Sequence, residues 1–113
     1  MTMRTSVTTV LERHATFTSD FDTEPYECGW ASEARWFVRL LEIAGDDAAL
    51  LVSPQISPDG LFWCEEGTAP SVIREPGLYS DTVREFGQWL RLHCQVRGGQ
   101  PSVKVLMYLA LKE

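Results

Sequence analysis

Residues 57–63 have the sequence of a tight turn, and they restrict the possible folds of this chain more than any other stretch does. Pro58, Asp59 and Gly60 stand between two short apolar runs, 48–56 and 61–66. Proline presets φ for the first corner of a type I turn, aspartate can hydrogen-bond its own backbone, and glycine adopts the positive φ that closes the loop. The sequence therefore predicts a β-hairpin in which these three residues have a structural role.

Strand-like segments recur along the rest of the chain, at 5–13, 14–19, 35–43, 71–74, 78–86, 88–97 and 102–112. Turn residues between some of them predict tight connections of antiparallel neighbours, at 45–47, 75–77 and 98–101. The acidic stretch 20–29 predicts a loop with one short strand. About eight strands and no convincing helix predict one all-β domain over residues 1–113, an antiparallel β-sandwich of the jelly-roll or immunoglobulin-like kind.

Charge and hydropathy argue against two classes of partner, nucleic acid and membranes. Sixteen acidic residues against ten basic ones give a net charge of -6, which is a poor match to a phosphate backbone, so nucleic acid is not expected as a partner. No apolar run approaches the roughly 20 residues needed to span a bilayer, and the first residues lack the apolar stretch of a signal peptide. We expect no membrane partner, and a location in the cytoplasm or on a virion or similar particle.

The cysteines and histidines give no catalytic or metal motif. Cys28, Cys64 and Cys94 are odd in number and far apart, which predicts free, buried thiols in a reducing compartment, with a disulfide between the last two as the alternative. His93 and Cys94 are adjacent, so on a strand they point to opposite faces and cannot form a catalytic dyad. Two histidines, His14 and His93, are too few for a cupin-like metal site. We expect neither an enzyme nor a cofactor.

One acidic stretch leaves a question open. Asp20, Asp22, Glu24 and Glu27 could hold a calcium ion, because hard cations take carboxylates at alternating loop positions. The stretch lacks the glycine and the terminal bidentate glutamate of an EF-hand loop. The sequence does not decide between a calcium site and a solvated loop.

The segment 88–97 has the cleanest alternation of apolar and polar residues. One face, predicted to lie in the core, carries Leu90, Leu92, Cys94 and Val96. The other face is a candidate ligand or partner surface, with Trp89, Arg91 and His93. Four tryptophans in the chain could form a platform for sugar rings, but the sequence has no asparagine, a frequent partner of sugar hydroxyls. A carbohydrate- or ligand-binding module is therefore the alternative function.

The last strand, 102–112, is apolar on both faces. One face is predicted to point into the core, with Val103, Val105, Met107, Leu109 and Leu111. Leu106, Tyr108 and Ala110 lie on the other face, and without a helix to cover them a second subunit is the expected cover. Full burial of Leu106 and Tyr108 would contribute on the order of 3 to 5 kcal/mol. The sequence thus predicts a homo-oligomer with these three residues at the interface.

Residues 48–112 resemble small β-sandwich domains of phage and phage-like particles. The resemblance is carried by Ser-Pro-Asp-Gly-x-x-Trp at 57–63, Pro-Gly-x-Tyr at 76–79, Phe-Gly-x-Trp-Leu-Arg-Leu at 86–92 and Gly-Gly-x-Pro-Ser at 98–102. Such domains tend to be accessory proteins on or beside a capsid or shell. The resemblance implies a structural or assembly protein that docks on a larger protein lattice, and it brings no catalytic residue.

Overall fold

The computed structural model describes residues 5–113 as eight strands in one antiparallel sheet. The strands are β1 (Ser6–Phe17), β2 (Phe21–Asp22), β3 (Tyr26–Glu27), β4 (Glu33–Ser57), β5 (Cys64–Glu65), β6 (Ser71–Ile73), β7 (Gly77–Val83) and β8 (Trp89–Lys112). No helix occurs in this range, and hence none that could cross a membrane. The predicted all-β antiparallel class is confirmed. The prediction of one domain over 1–113 includes residues 1–4, which lie outside the described range.

Strands β4 and β8 form the spine of the sheet. They pair along their whole length, from Glu33 opposite Lys112 to Ser57 opposite Trp89. In what we call the first half, β1 flanks residues 103–112 of β8 and β7 flanks residues 34–40 of β4. In the second half, β2 and β3 flank β8, while β5 and β6 flank β4. Each half is therefore a single layer four strands wide, and the two halves share the spine.

The spine bends sharply in the middle. A straight strand of 25 residues would span about 80 Å at roughly 3.3 Å per residue, whereas the longest dimension of the molecule is 52 Å. The bend lies where the register shifts, around Asp46 opposite Gly99. Gly45 and Gly98 have φ of 120° and 119° there, which is a glycine conformation. The bend is therefore built from glycine positions on both strands.

The tight connections predicted at 45–47 and 98–101 are wrong. Both segments lie inside long strands, and they pair with each other instead of reversing the chain. Glycine, aspartate and proline indicate a departure from regular extended geometry. They do not indicate whether the chain reverses direction or only bends. The third turn, predicted at 75–77, is also wrong: β6 and β7 do not pair with each other but follow one another along β4, so the chain bends there without reversing.

A single buried cluster contains residues from both halves of the bent sheet. Its largest fully buried members include Trp36, Leu40, Leu50, Ile73, Leu90, Leu92, Met107, Leu109 and Leu111. Because both halves contribute to one core, the sheet folds over its inner side in the manner of a β-sandwich. The inward faces predicted for segments 88–97 and 102–112 are confirmed: every residue predicted to point inward is buried.

The turn at 57–63 is present and is held by side chains. The Ser57 hydroxyl accepts the backbone N–H of Asp59 (3.2 Å) and of Gly60 (2.8 Å). The Asp59 carboxylate accepts the N–H of Leu61 (2.9 Å) and of Phe62 (3.1 Å), and these bonds hold its pKa below the usual value. The hairpin is nevertheless peripheral, because β5 contributes only two residues to it. The spine of β4 and β8, not this hairpin, organises the fold.

Gly60→Val should destabilise the protein by more than about 1 kcal/mol. Gly60 has φ of 79°, and a Cβ there would lie 3.2 Å from the Trp89 ring. Equilibrium urea unfolding measures the loss. Gly87→Ala is the control, since Gly87 lies outside the positive-φ region and its nearest neighbour, the Ser57 carbonyl oxygen, would be 3.7 Å away. Equal midpoints for Gly60→Val and the wild type would show that the turn does not need glycine.

Candidate functional site

The outer side of the first half carries several apolar side chains, with Arg35 and Arg39 among them. Cross-strand pairing places Tyr108 between Val10 and Phe37, and places Leu106 and Leu78 on either side of Arg39. We call this surface the outer apolar face; it consists of Val10, Phe37, Leu78, Leu106, Tyr108 and Ala110. The predicted interface residues Leu106, Tyr108 and Ala110 thus lie together on one surface, each half-buried by its neighbours. Leu78 remains 67% exposed and Val10 38% exposed.

A shallow groove opens on this face next to the end of the spine. Its volume is about 310 Å³, and its lining is Glu33, Ala34, Arg35, Phe37, Thr82, Ala110 and Lys112. The Arg35 guanidinium donates to the Ser80 hydroxyl at 2.7 Å, which holds it along the groove wall. The groove therefore combines an apolar floor with basic groups at its rim. We call it the outer groove.

The outer side of the second half is polar instead. Trp89, Arg91 and His93 lie here, as predicted, and all three are half-buried. Arg91 donates from Nε to the Gln55 side-chain oxygen (2.8 Å), and its guanidinium carbon lies 4.3 Å from the centre of the Trp63 ring. These contacts hold the arginine flat against the sheet.

Asp22 is the residue that joins this polar surface together. Its carboxylate is 2.6 Å from Nδ1 of His93 and 3.7 Å from the Arg91 guanidinium. Asp22 lies on β2, 71 residues before His93, so sequence analysis gave no reason to pair the two. The pairing of β2 with β8 is what brings them together.

The acidic stretch 20–27 runs along the edge of β8 and pairs with it through β2 and β3. The Asp20 carboxylate accepts the backbone N–H of Val96 (2.9 Å) and lies 3.6 Å from the Arg97 guanidinium. Thr23, which is 2% exposed, exchanges two hydrogen bonds with Leu92 at 2.9 and 3.0 Å. The Asp20 and Asp22 carboxylates thus contact side chains or backbone of β8, and the Glu27 carboxylate accepts from Gly29 and Gln88. Among residues 5–113 no group of three or more His, Cys, Asp or Glu is placed to hold a metal ion.

One row of side chains has the residue types of a catalytic triad. Asp22, His93 and Ser53 are cross-strand neighbours on three adjacent strands. However, Ser53 is only 6% exposed, and its hydroxyl donates to the backbone carbonyl oxygen of His93 at 3.5 Å. The hydroxyl proton is directed at the backbone, so the geometry does not prepare this serine as a nucleophile.

The three cysteines are free thiols. Cys28 and Cys94 are buried as predicted, but Cys64 is exposed because it lies on the two-residue strand β5. Burial, and then the nearby Glu27 carboxylate, raises the pKa of Cys28 to about 11. Burial also raises the pKa of Cys94. Neither buried thiol is therefore a thiolate at neutral pH.

The turn at 57–63 presents two bulky apolar side chains to solvent. Leu61 is 76% exposed and Phe62 is 78% exposed, the largest exposures among the large hydrophobic residues described. Both backbone N–H groups are held by Asp59, so the two side chains project from an ordered loop. We call this pair the apolar knob. The apolar run 61–66 predicts a strand here, but only Cys64–Glu65 of it are paired in the sheet.

Comparison with protein-family models and with curated proteins gives no match. Among solved structures, the chain is similar to SPBc2 prophage-derived protein YomS, with a TM-score of 0.52 and 10% identity over 100% of this chain and 97% of that one. A structure of infectious bursal disease virus Gx strain gives a TM-score of 0.49 and 14% identity over 96% of this chain and 32% of that one. Dimeric latent PorU from Porphyromonas gingivalis gives 0.39 and 14% over 97% and 10%. The chain therefore shares its fold with a prophage-derived protein over nearly the whole of both.

Proposed function

We propose that the protein is a structural subunit that associates with copies of itself through the outer apolar face and docks on a larger protein particle, such as a capsid or shell. The contrast between the two outer surfaces carries this proposal. Around Arg91 and His93 the outer side of the second half carries hydrogen-bonded and charged groups, whereas on the first half Val10 is exposed beside Tyr108, and Leu78 is exposed across Arg39 from Leu106. Exposed apolar surface is typical of protein–protein contacts.

The free energy that this contact can supply is limited by the burial of its side chains within the single chain. Leu106 and Tyr108 lose part of their surface within the chain, so a partner can bury only the remainder, and the two contribute less than the 3 to 5 kcal/mol expected from full burial. Association itself costs on the order of 4 to 15 kcal/mol. The two side chains alone cannot hold a dimer, so the proposal requires the whole face, including Leu78 and Val10, to take part.

Docking on a particle is supported by two observations. The fold is shared with a prophage-derived protein over 100% of this chain and 97% of that one. The turn and core motifs over 48–112 resemble accessory domains of phage-like particles. Neither observation identifies the particle, and the proposal commits only to a protein lattice as the second partner.

The test of self-association is a double substitution, Leu106→Glu with Tyr108→Lys. Both side chains lie on the outer face, so the variant should stay folded by circular dichroism while its mass by light scattering falls to that of one chain. Val72→Lys is a matched control, because Val72 is an apolar residue, 54% exposed, on β6 of the second half. A double variant that associates as the wild type does would contradict the proposed interface.

A ligand-binding module remains the second candidate. Trp63 lies against Arg91, and a cleft of about 360 Å³ lies along the same sheet surface, lined by Ser53, Glu65, Gly67, Thr68, Ala69, Pro70, His93 and Gln95. The polar groups near it already bond one another, which leaves fewer of them for a ligand. Calorimetric titration with neutral oligosaccharides tests this candidate, and a heat signal that Trp63→Ala removes would favour it over assembly.

A further inference from the structure

We propose that the apolar knob of one copy, Leu61 and Phe62, inserts into the outer groove of a second copy, so that the subunits associate head to tail. This inference rests on the proposed self-association and names the segment that fills the groove. Three features of the structure support it: an ordered apolar projection, an apolar recess of matching scale, and opposite charge around the two.

The apolar knob projects into solvent from a loop of fixed conformation. Its two side chains are 76% and 78% exposed although the loop that carries them is ordered. The Asp59 carboxylate accepts the backbone N–H groups of Leu61 and Phe62. The Ser57 hydroxyl accepts the backbone N–H of Gly60, the residue just before them. Because the loop conformation is fixed in the free chain, less conformational entropy is lost when the side chains are buried by a partner.

The groove suits side chains better than a large ligand. Its volume of about 310 Å³ is at the lower end of the range for small-molecule pockets. Phe37 and Ala110 supply apolar contacts along it, and the stems of Arg35 and Lys112 extend that surface. An aromatic and an aliphatic side chain entering together would contact all of these groups.

Charge around the two elements is complementary. The segment 57–66 carries Asp59, Glu65 and Glu66 and no basic residue. The groove carries Arg35 and Lys112 against one acid, Glu33. Opposite charge around an apolar contact favours the correct orientation and speeds encounter between copies.

The two elements belong to different halves of the sheet, and in the free chain the knob is exposed while the groove is open. Gly60 lies against the ring of Trp89, on the outer side of the second half, whereas the groove opens on the outer side of the first half. A contact between two different surfaces is heterologous, and it produces a ring if the rotation closes and a filament if it does not. Such contacts suit a subunit of a lattice.

Complementation between two variants tests this contact. Leu61→Ser with Phe62→Ser removes the knob, and Ala110→Glu blocks the groove with a negative charge; each alone should weaken self-association at least tenfold in sedimentation velocity. Mixed together, they should form a one-to-one heterodimer and nothing larger, because one intact knob and one intact groove remain. Val72→Ser, which removes exposed apolar surface elsewhere, should leave association unchanged. Should Ala110→Glu fail to fold, Thr82→Glu at the groove rim replaces it.

Two outcomes would overturn the head-to-tail contact. If the knob variant associates as the wild type does while Leu106→Glu with Tyr108→Lys does not, the outer apolar face acts without the knob, and the proposed function survives alone. If both single-site variants are monomeric but their mixture forms no heterodimer, the two elements do not contact each other.

Discussion

Met107→Glu should unfold the protein. Met107 is fully buried in the part of β8 that belongs to the first half, with Val38 opposite it on β4. Glu12 is its partner on β1, and burial, then the nearby Glu24, already raises the pKa of that carboxyl. A second carboxylate at this place would lose its hydration and lie beside the first. An unpaired buried charge costs several kcal/mol, which is comparable to the whole stability of a domain of this size.

Far-UV circular dichroism and urea unfolding measure directly whether the Met107→Glu protein is folded. Met107→Leu is the control, because it conserves volume and should cost less than about 1.5 kcal/mol. A Met107→Glu protein that unfolds cooperatively near the wild-type midpoint would mean that this face of β8 is not the core face.

Gly98→Val should cost more than about 3 kcal/mol, from backbone strain and overpacking together. Gly98 has φ of 119°, and a Cβ there would lie 2.8 Å from both the Asp46 carbonyl oxygen and the Ala48 Cα. Those atoms belong to the backbone of the paired strand, so they cannot move aside without opening the bend of the spine.

Gly99→Ala is the matched control for Gly98→Val. Gly99 is the next residue, lies outside the positive-φ region, and its Cβ would meet the side chain of Asp46 at 3.3 Å. That side chain can shift, so Gly99→Ala should lower the free energy of unfolding by much less than Gly98→Val does. Urea midpoints of the two variants measure the difference, and similar losses in both would show that the bend does not depend on the conformation of Gly98.

The faces of the long strands could be predicted from the sequence. Leu90 and Leu92, like Val103 and Val105, are buried where the period-two pattern placed them. This succeeds because the direction of a side chain in a strand depends only on local extended geometry. The apolar character of the outer face near Leu106 was predictable for the same reason.

What the sequence did not reveal depends on long-range pairing. Residues 45–47 and 98–101 have turn chemistry, but whether a chain reverses or bends depends on which strand lies opposite, and here each lies opposite the other. The contact of Asp22 with His93 and the position of residues 20–27 along the edge of β8 likewise arise from pairing across some 70 residues. The knob at Leu61 and Phe62 was missed because an apolar run beside a turn predicts a strand equally well.

Sedimentation equilibrium of the wild-type protein over a range of concentrations tests the central claim, self-association, most directly. The chain has a mass of 12.8 kDa. We predict that the apparent mass rises with concentration to a multiple of that value in the micromolar range. A mass that stays at 12.8 kDa up to high micromolar concentration would contradict the account.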